Sequence, residues 1–190
     1  QMYKILMNEP RFMKAAGRAE SPQRAKALYR LGAAYARVGF YDQAAKYLAD
    51  YGLGYSGETL AKPAVNDAVF YLKGIGQDDE AIAKTKQFVA KWGGKGKEGA
   101  ADAAAAFFSL YTIYEKRGDT DMLISHLNQY LKQHGKAGGA DRLVMAYAKI
   151  GQTLWNRSCG KTVDGSCIRV IRERAVSSRQ KKKKKRTVQT

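Results

Sequence analysis

The chain has 190 residues, 45% of them hydrophobic, and 34 Lys or Arg against 17 Asp or Glu, for a formal net charge of +17. That length supports one domain with a sizeable core, and there is no run of about 18 apolar residues to span a membrane. The charge favours polyanionic partners or surfaces, while two histidines and two cysteines leave little material for a metal site or for nucleophilic catalysis.

Residue 1 is Gln1, and no basic, apolar, small-residue leader pattern follows, so the sequence reads as a piece of a longer chain. Residues 1–22 are expected to be helical, the end of a preceding repeat. Met2, Ile5, Leu6, Phe12 and Met13 supply apolar groups there, and Pro10 breaks or kinks the segment. Ser21-Pro22 reads as a cap followed by a first helical position.

Lys26 to Ser56 reads as two amphipathic helices around a tight turn. Leu28, Leu31, Gly32 and Tyr35 fall at i, i+3, i+4 and i+7. Gly39 stops that helix, and Tyr41, Ala44, Leu48 and Tyr51 line a second. Gly32 lets the two backbones approach. Such a pair cannot bury its apolar stripe alone and needs neighbours. The turn recurs: Gly76 leads to Ala81 as Gly39 leads to Ala44, and Gly118 leads to Leu123. Helix–turn–helix self-similarity at that period predicts an all-α fold, an α-solenoid. The expected boundaries continue with a loop over 51–57, a helix over 64–73 opened by Pro63, and its partner over 79–92. A flexible glycine–lysine loop over 93–99 follows, then an alanine-rich helix over 100–116, a helix over 122–134, a loop over 135–139 and a helix over 141–157.

Leu28, Leu31, Gly32, Tyr35, Gly39, Ala44 and Leu48 resemble the tetratricopeptide-repeat pattern, with Leu28 in the usual tryptophan place. Two later copies are looser. Val69 and Thr85 depart from the pattern in the second, and Tyr111 stands for glycine in the third beside Phe107, Leu110, Tyr114 and Leu127. The repeats cover 23–157. The resemblance implies a protein-binding scaffold without chemistry, whose concave groove would be lined by Tyr29, Ala33, Ala36, Asn66, Phe70, Lys73, Phe108, Thr112 and Glu115. Such a face suits an apolar or helical peptide more than a carboxylate terminus; the alternative for its aromatic residues is a place in the core.

Residues 158–167 interrupt the repeat as an insert bounded by Cys159 and Cys167, and helical spacing is expected to resume from Ile168. The cysteines flank a polar loop and lie on no apolar stripe, which favours a disulfide and with it an oxidising compartment. Unpaired thiols are the alternative. His126 and His134 are expected on a polar helix face. No catalytic constellation, cofactor site or metal site is expected. The Gly160-Lys161-Thr162 and Gly93–Gly99 segments lack the glycine spacing of a phosphate loop. The acidic triplet Asp78, Asp79 and Glu80 suits a helix start.

Residues 168–190 form a basic helix or tail. From Ile168 onward ten of the Lys and Arg residues face one acid, Glu173, and Lys181, Lys182, Lys183, Lys184, Lys185 and Arg186 are consecutive. A nucleic-acid or anionic-surface contact competes there with a solvated end, and the absence of aromatic residues after Trp155 argues against base stacking. The repeats, the Cys-bounded insert and the lysine block together are similar to envelope lipoproteins of myxobacterial adventurous gliding motility. That resemblance implies a periplasmic scaffold, held at the outer membrane through a lipidated cysteine upstream, that links parts of a motility complex.

Overall fold

A computed structural model describes residues 22–163 and 166–170. The N-terminal segment, the Ser21 cap, and the basic run Lys181–Arg186 lie outside the described residues. The chain divides into two compact units at Ala146/Tyr147.

The helices of the first unit pack in sequence order. They are α1 (Pro22–Arg37), α2 (Tyr41–Gly54), α3 (Ala61–Gly74), α4 (Asp78–Trp92), α5 (Gly96–Ser109), α6 (Tyr111–Arg117), α7 (Thr120–Gln133) and the single turn α8 (Gly135–Gly138). The contacts run α1 to α2, α2 to α3, α3 to α4 and α4 to α5. Helix α9 (Ala140–Ser158) crosses the unit boundary, and the hairpin β1 (Cys159–Val163) with β2 (Ser166–Val170) follows it.

Three turns share one construction. Gly39, Gly76 and Gly118 have φ of 79°, 79° and 68°, a region that side chains with a Cβ disfavour. In each, the next residue's N–H reaches back five positions: Phe40 to Tyr35 O (3.0 Å), Gln77 to Leu72 O (2.9 Å) and Asp119 to Tyr114 O (3.1 Å). The glycine N–H reaches back three, to Ala36, Lys73 and Glu115. These are Schellman ends, which satisfy carbonyls the helix leaves open. Five residues past each glycine, Ala44, Ala81 and Leu123 are buried.

Small residues set the spacing. A Cβ on Gly32 would meet Leu48 Cγ at 2.7 Å, and one on Gly52 would meet the Ala61 carbonyl oxygen and Val65 Cγ2 (2.5 Å). One core then runs on from α1 to α6, through Leu28, Leu48, Tyr51, Ala64, Leu72, Ala81, Leu110 and Ile113. A second cluster of Ala61, Val65, Phe88 and Trp92 fills the far side of α3 and α4. Thr85, in a large apolar residue's place, is buried but satisfied, because its hydroxyl donates to Ala81 O at 2.9 Å.

Several boundaries differ from the expectation. Tyr51 and Gly52 are buried helix rather than loop, since α2 needs them against α3. Pro63 sits inside the first turn of α3. The Gly93–Gly99 loop is cut short because α5 starts at Gly96; Gly99 packs directly on the Trp92 carbonyl, where no side chain fits. The 135–139 loop is mostly the turn α8. Residues 166–170 are strand, so the helix expected from Ile168 does not begin there. The two chain segments pair antiparallel, with Thr162 opposite Cys167, and Cys159 is disulfide-bonded to Cys167.

The helix expected over 100–116 breaks at Leu110. Leu110 N–H bonds Phe107 O and Ile113 N–H bonds Leu110 O, both three residues back. Side chains take the freed carbonyls. Thr112 Oγ1 (2.9 Å) and Lys73 Nζ (3.1 Å) donate to Ser109 O, and His126 Nε2 donates to Phe107 O (3.0 Å). Groups inserted into the i to i−4 ladder are a known cause of such kinks. The break falls where Tyr111 replaces the small residue that α1 has at Gly32.

Candidate functional site

The cleft between α3 and α5 is built from two helical faces. Asn66, Phe70 and Lys73 fall at i, i+4 and i+7 on α3, and so share one side. Asp102, Ala105, Ala106 and Ser109 occupy the matching side of α5, and Val69, Thr85 and Phe88 complete the wall. The cavity measures about 330 Å³. The alanines leave room in it, and the break at Leu110 aims a backbone carbonyl at its end.

Two residues give this cleft its character. Phe70 is 71% exposed, with its ring edge on Tyr71 at 5.8 Å. An aromatic side chain this open beside an apolar recess is ready to cover a partner's apolar group. Lys73 is half-buried and donates to Ser109 O. Burial pulls its amino group below the usual lysine range, and the charge of Asp78 opposes that pull. It forms no ion pair among the described residues, so two N–H donors remain for an acceptor on a ligand.

The polar end continues into a second recess of about 560 Å³ past Asn66 and Asp102, along Lys62, Glu98, Lys95 and Trp92. Lys62 bridges Asp102 (2.7 Å) and Glu98 (3.2 Å), which raises its amino group's pKa through those two hydrogen bonds. Asp102 is therefore engaged already, whereas Lys73, between the two helical faces of the cleft, has no ion pair among the described residues.

Of the groove residues expected from sequence, Asn66, Phe70 and Lys73 come together. Tyr29 lies elsewhere, in a recess of about 310 Å³ with Lys26, Arg30, Tyr51 and Glu58, its ring 5.2 Å from that of Tyr51. Ala33 is half-buried on α1. Phe108 is buried, with the rings of Tyr111 and Tyr130 both at 4.9 Å, and belongs to the core. Thr112 caps the helix break, and Glu115 is exposed on α6. The α5 wall was missed because Phe108 faces the core while Asp102, Ala105, Ala106 and Ser109, on the same helix, line the cleft; their spacing carried the signal.

The histidines are placed differently from the expectation. His126 is buried, stacked on Phe107 at 4.6 Å and beside Tyr114 at 5.2 Å. Leu123, His126, Leu127 and Tyr130 form the buried stripe of α7, so His126 occupies a core position. Burial pushes its pKa down, against the Phe107 hydrogen bond, and burial does the same to half-buried His134. Asp78 and Asp79 at the start of α4 both pair with Arg117, at 3.2 and 2.8 Å. Among the described residues, no group of three or more His, Cys, Asp or Glu is placed to hold a metal ion, and no helix is long and apolar enough to cross a membrane.

No family model matches this chain, and no curated protein matches it.

Proposed function

We propose that the chain is a protein–protein interaction scaffold of tetratricopeptide-like repeats that holds a peptide or helix in the cleft between α3 and α5. One observation carries this reading: Phe70 is exposed at the lip of an apolar recess while Lys73, one helical turn on, is a half-buried cation with no carboxylate ion pair among the described residues. A ligand with an apolar side chain next to a carboxylate or carbonyl oxygen satisfies both groups. The peptide's apolar group would lie on Phe88, Ala105 and Ala106, and its oxygen would accept from Lys73 Nζ. No part of this assignment requires catalysis or a cofactor.

The wider setting is proposed from the gliding-motility resemblance: a periplasmic scaffold tethered at the outer membrane by a region outside this sequence. The Cys159–Cys167 bond supports an oxidising compartment.

The test is selection of peptides from a displayed library against the full chain, followed by titration against Phe70→Ala and Lys73→Met. Truncating an anchoring aromatic residue in a binding site costs about 1–3 kcal/mol, or roughly tenfold to hundredfold in affinity. Phe70→Ala removes a largely exposed ring, so stability should stay within about 0.5 kcal/mol. Selected peptides that bind both variants as tightly as the parent would refute the cleft as the binding site.

A further inference from the structure

The break at Leu110 joins α5 to α6 and is held from two other helices. Phe107 O accepts from His126 Nε2 of α7 at 3.0 Å, and Ser109 O accepts from Lys73 Nζ of α3 at 3.1 Å. Phe107 and Ser109 share the last turn of α5, which its own bonds stiffen. Ser109 Oγ donates to Ala106 O (2.9 Å), and Leu110 N–H donates to Phe107 O (3.2 Å). A shift at the Phe107 carbonyl is therefore carried to Ser109. Ala106 and Ser109 are both wall of the α3–α5 cleft. The histidine and the lysine thus act on one piece of backbone, one from the core and one from the cleft.

Each of the two carbonyls has a second donor. Phe107 O keeps Leu110 N–H, and Ser109 O keeps Thr112 Oγ1 at 2.9 Å. Neither is stripped when the distant side chain leaves, so the joint escapes the cost of a bare buried acceptor.

The histidine can change its charge. The Phe107 ring lies 4.6 Å from that of His126 and 4.8 Å from that of His134, so two imidazoles share one apolar neighbour. Tyr114 of α6 closes on His126 at 5.2 Å, and Tyr130 approaches His134 at 6.4 Å. Both phenols stay neutral in this range, Tyr114 within the field of Arg117, Asp119 and Asp79 and Tyr130 within that of Arg142. Burial, His134 and Lys86 of α4 all oppose an imidazolium at His126, and the Phe107 hydrogen bond favours one. Nε2–H donates to Phe107 O in either protonation state, so a proton adds charge there without adding a bond. The imidazolium gains hydration by swinging outward, and that takes its N–H off Phe107 O.

We infer that the α5–α6 joint is a proton-operated hinge: charging His126 draws its ring off the Phe107 carbonyl, the last turn of α5 moves, and Ser109 O parts from Lys73, so the α3–α5 cleft changes shape between neutral and mildly acid conditions. As a control on ligand capture this rests on the cleft proposed above. The hinge itself belongs to the empty chain.

The experiment follows the isotope-labelled full chain by nuclear magnetic resonance from about pH 7.5 to about pH 5, across the ordinary histidine range. The signals are the His126 ring protons, the Phe107 and Ser109 carbonyl carbons, and the Overhauser contact between the Lys73 side chain and Ser109. Both carbonyl signals should move with the midpoint of His126 itself, below the ordinary histidine value. The Lys73–Ser109 contact should weaken about twofold or more over the same range as the second conformation becomes populated. His126→Gln keeps an amide donor for Phe107 O and cannot charge, so in it the Ser109 carbonyl and the Lys73 contact should stay constant. A Ser109 carbonyl and a Lys73 contact that ignore the titration of His126, or that respond equally in His126→Gln, would overturn the inference. So would a His126 ring still neutral at the acid limit, or collapse of the Leu31 and Leu48 methyl signals to unfolded positions over the same range, which would mark general unfolding. These readings need no peptide, so a hinge that fails and a cleft that binds nothing are told apart.

Discussion

Gly52→Ala tests the packing of α2 on α3 at its tightest point. An added Cβ would fall on the Ala61 backbone oxygen and 2.5 Å from Val65 Cγ2, whereas ordinary contact begins near 3.4 Å. The two helices must therefore separate by about 1 Å at this point, and a backbone oxygen cannot rotate away as a side chain would. Overpacking of this kind costs about 1–3 kcal/mol, and the better helix propensity of alanine returns roughly 1 kcal/mol. The backbone collision favours the upper part of the range, so the net loss should be about 1–2 kcal/mol. Urea denaturation followed by circular dichroism should show the midpoint falling by about 0.5–1 M. Gly151→Ala supplies the contrast. It lies in α9 with no atom within 4 Å of its added Cβ and an ordinary helical φ. It should gain about 0.5–1 kcal/mol of local helix stability. A Gly52→Ala protein as stable as the parent would show that α2 and α3 do not approach as closely as described.

Acidification should destabilise the first unit. Burial holds His126 and His134 below the ordinary histidine value, so the unfolded chain binds protons more readily than the folded one. Their stabilising contribution is complete above about pH 6.5 and is lost as pH falls from there toward the folded-state values. Melting temperature should drop over that window, and His126→Gln/His134→Gln should flatten the slope relative to the parent; an unchanged slope would contradict the buried placement. Reduction of Cys159–Cys167 should release the hairpin. The short closed loop is worth about 2–3 kcal/mol in the entropy picture, so hydrogen exchange over 159–170 should accelerate while the melting of α1–α7 stays put.

The parts legible in the sequence are those fixed by local chemistry. Gly39, Gly76 and Gly118 announce their turns because a left-handed helix end favours glycine, and the same end recurs three times with the same hydrogen bonds. The apolar stripes of α1 and α2 follow from the 3.6-residue period. Features that depend on distant partners were not legible. The break at Leu110 exists because Lys73 and His126 reach in from α3 and α7, and no local signal in 100–116 contains them. Phe108 likewise packs on Tyr130 from α7 as well as on Tyr111, a partner its own segment does not announce, and the cleft wall falls to Asp102, Ala105, Ala106 and Ser109. His126 was misplaced for a different reason. Its own spacing with Leu123, Leu127 and Tyr130 marks a core position, but the residue type suggested a polar face. The strand at 166–170 was hidden because Ile168 and Ile171 also fit a helical period; cross-strand pairing under the disulfide decides it.

Each of the first helices buries its stripe against the next in sequence. Nuclear Overhauser contacts from the side chains of the first unit test this most directly. Contacts should appear between Gly32 and Leu48, Gly52 and Val65, Tyr41 and Tyr71, and Phe108 and Tyr130, following chain order. A dense set of contacts joining α1 directly to α7, as in helices gathered about one centre, would contradict it.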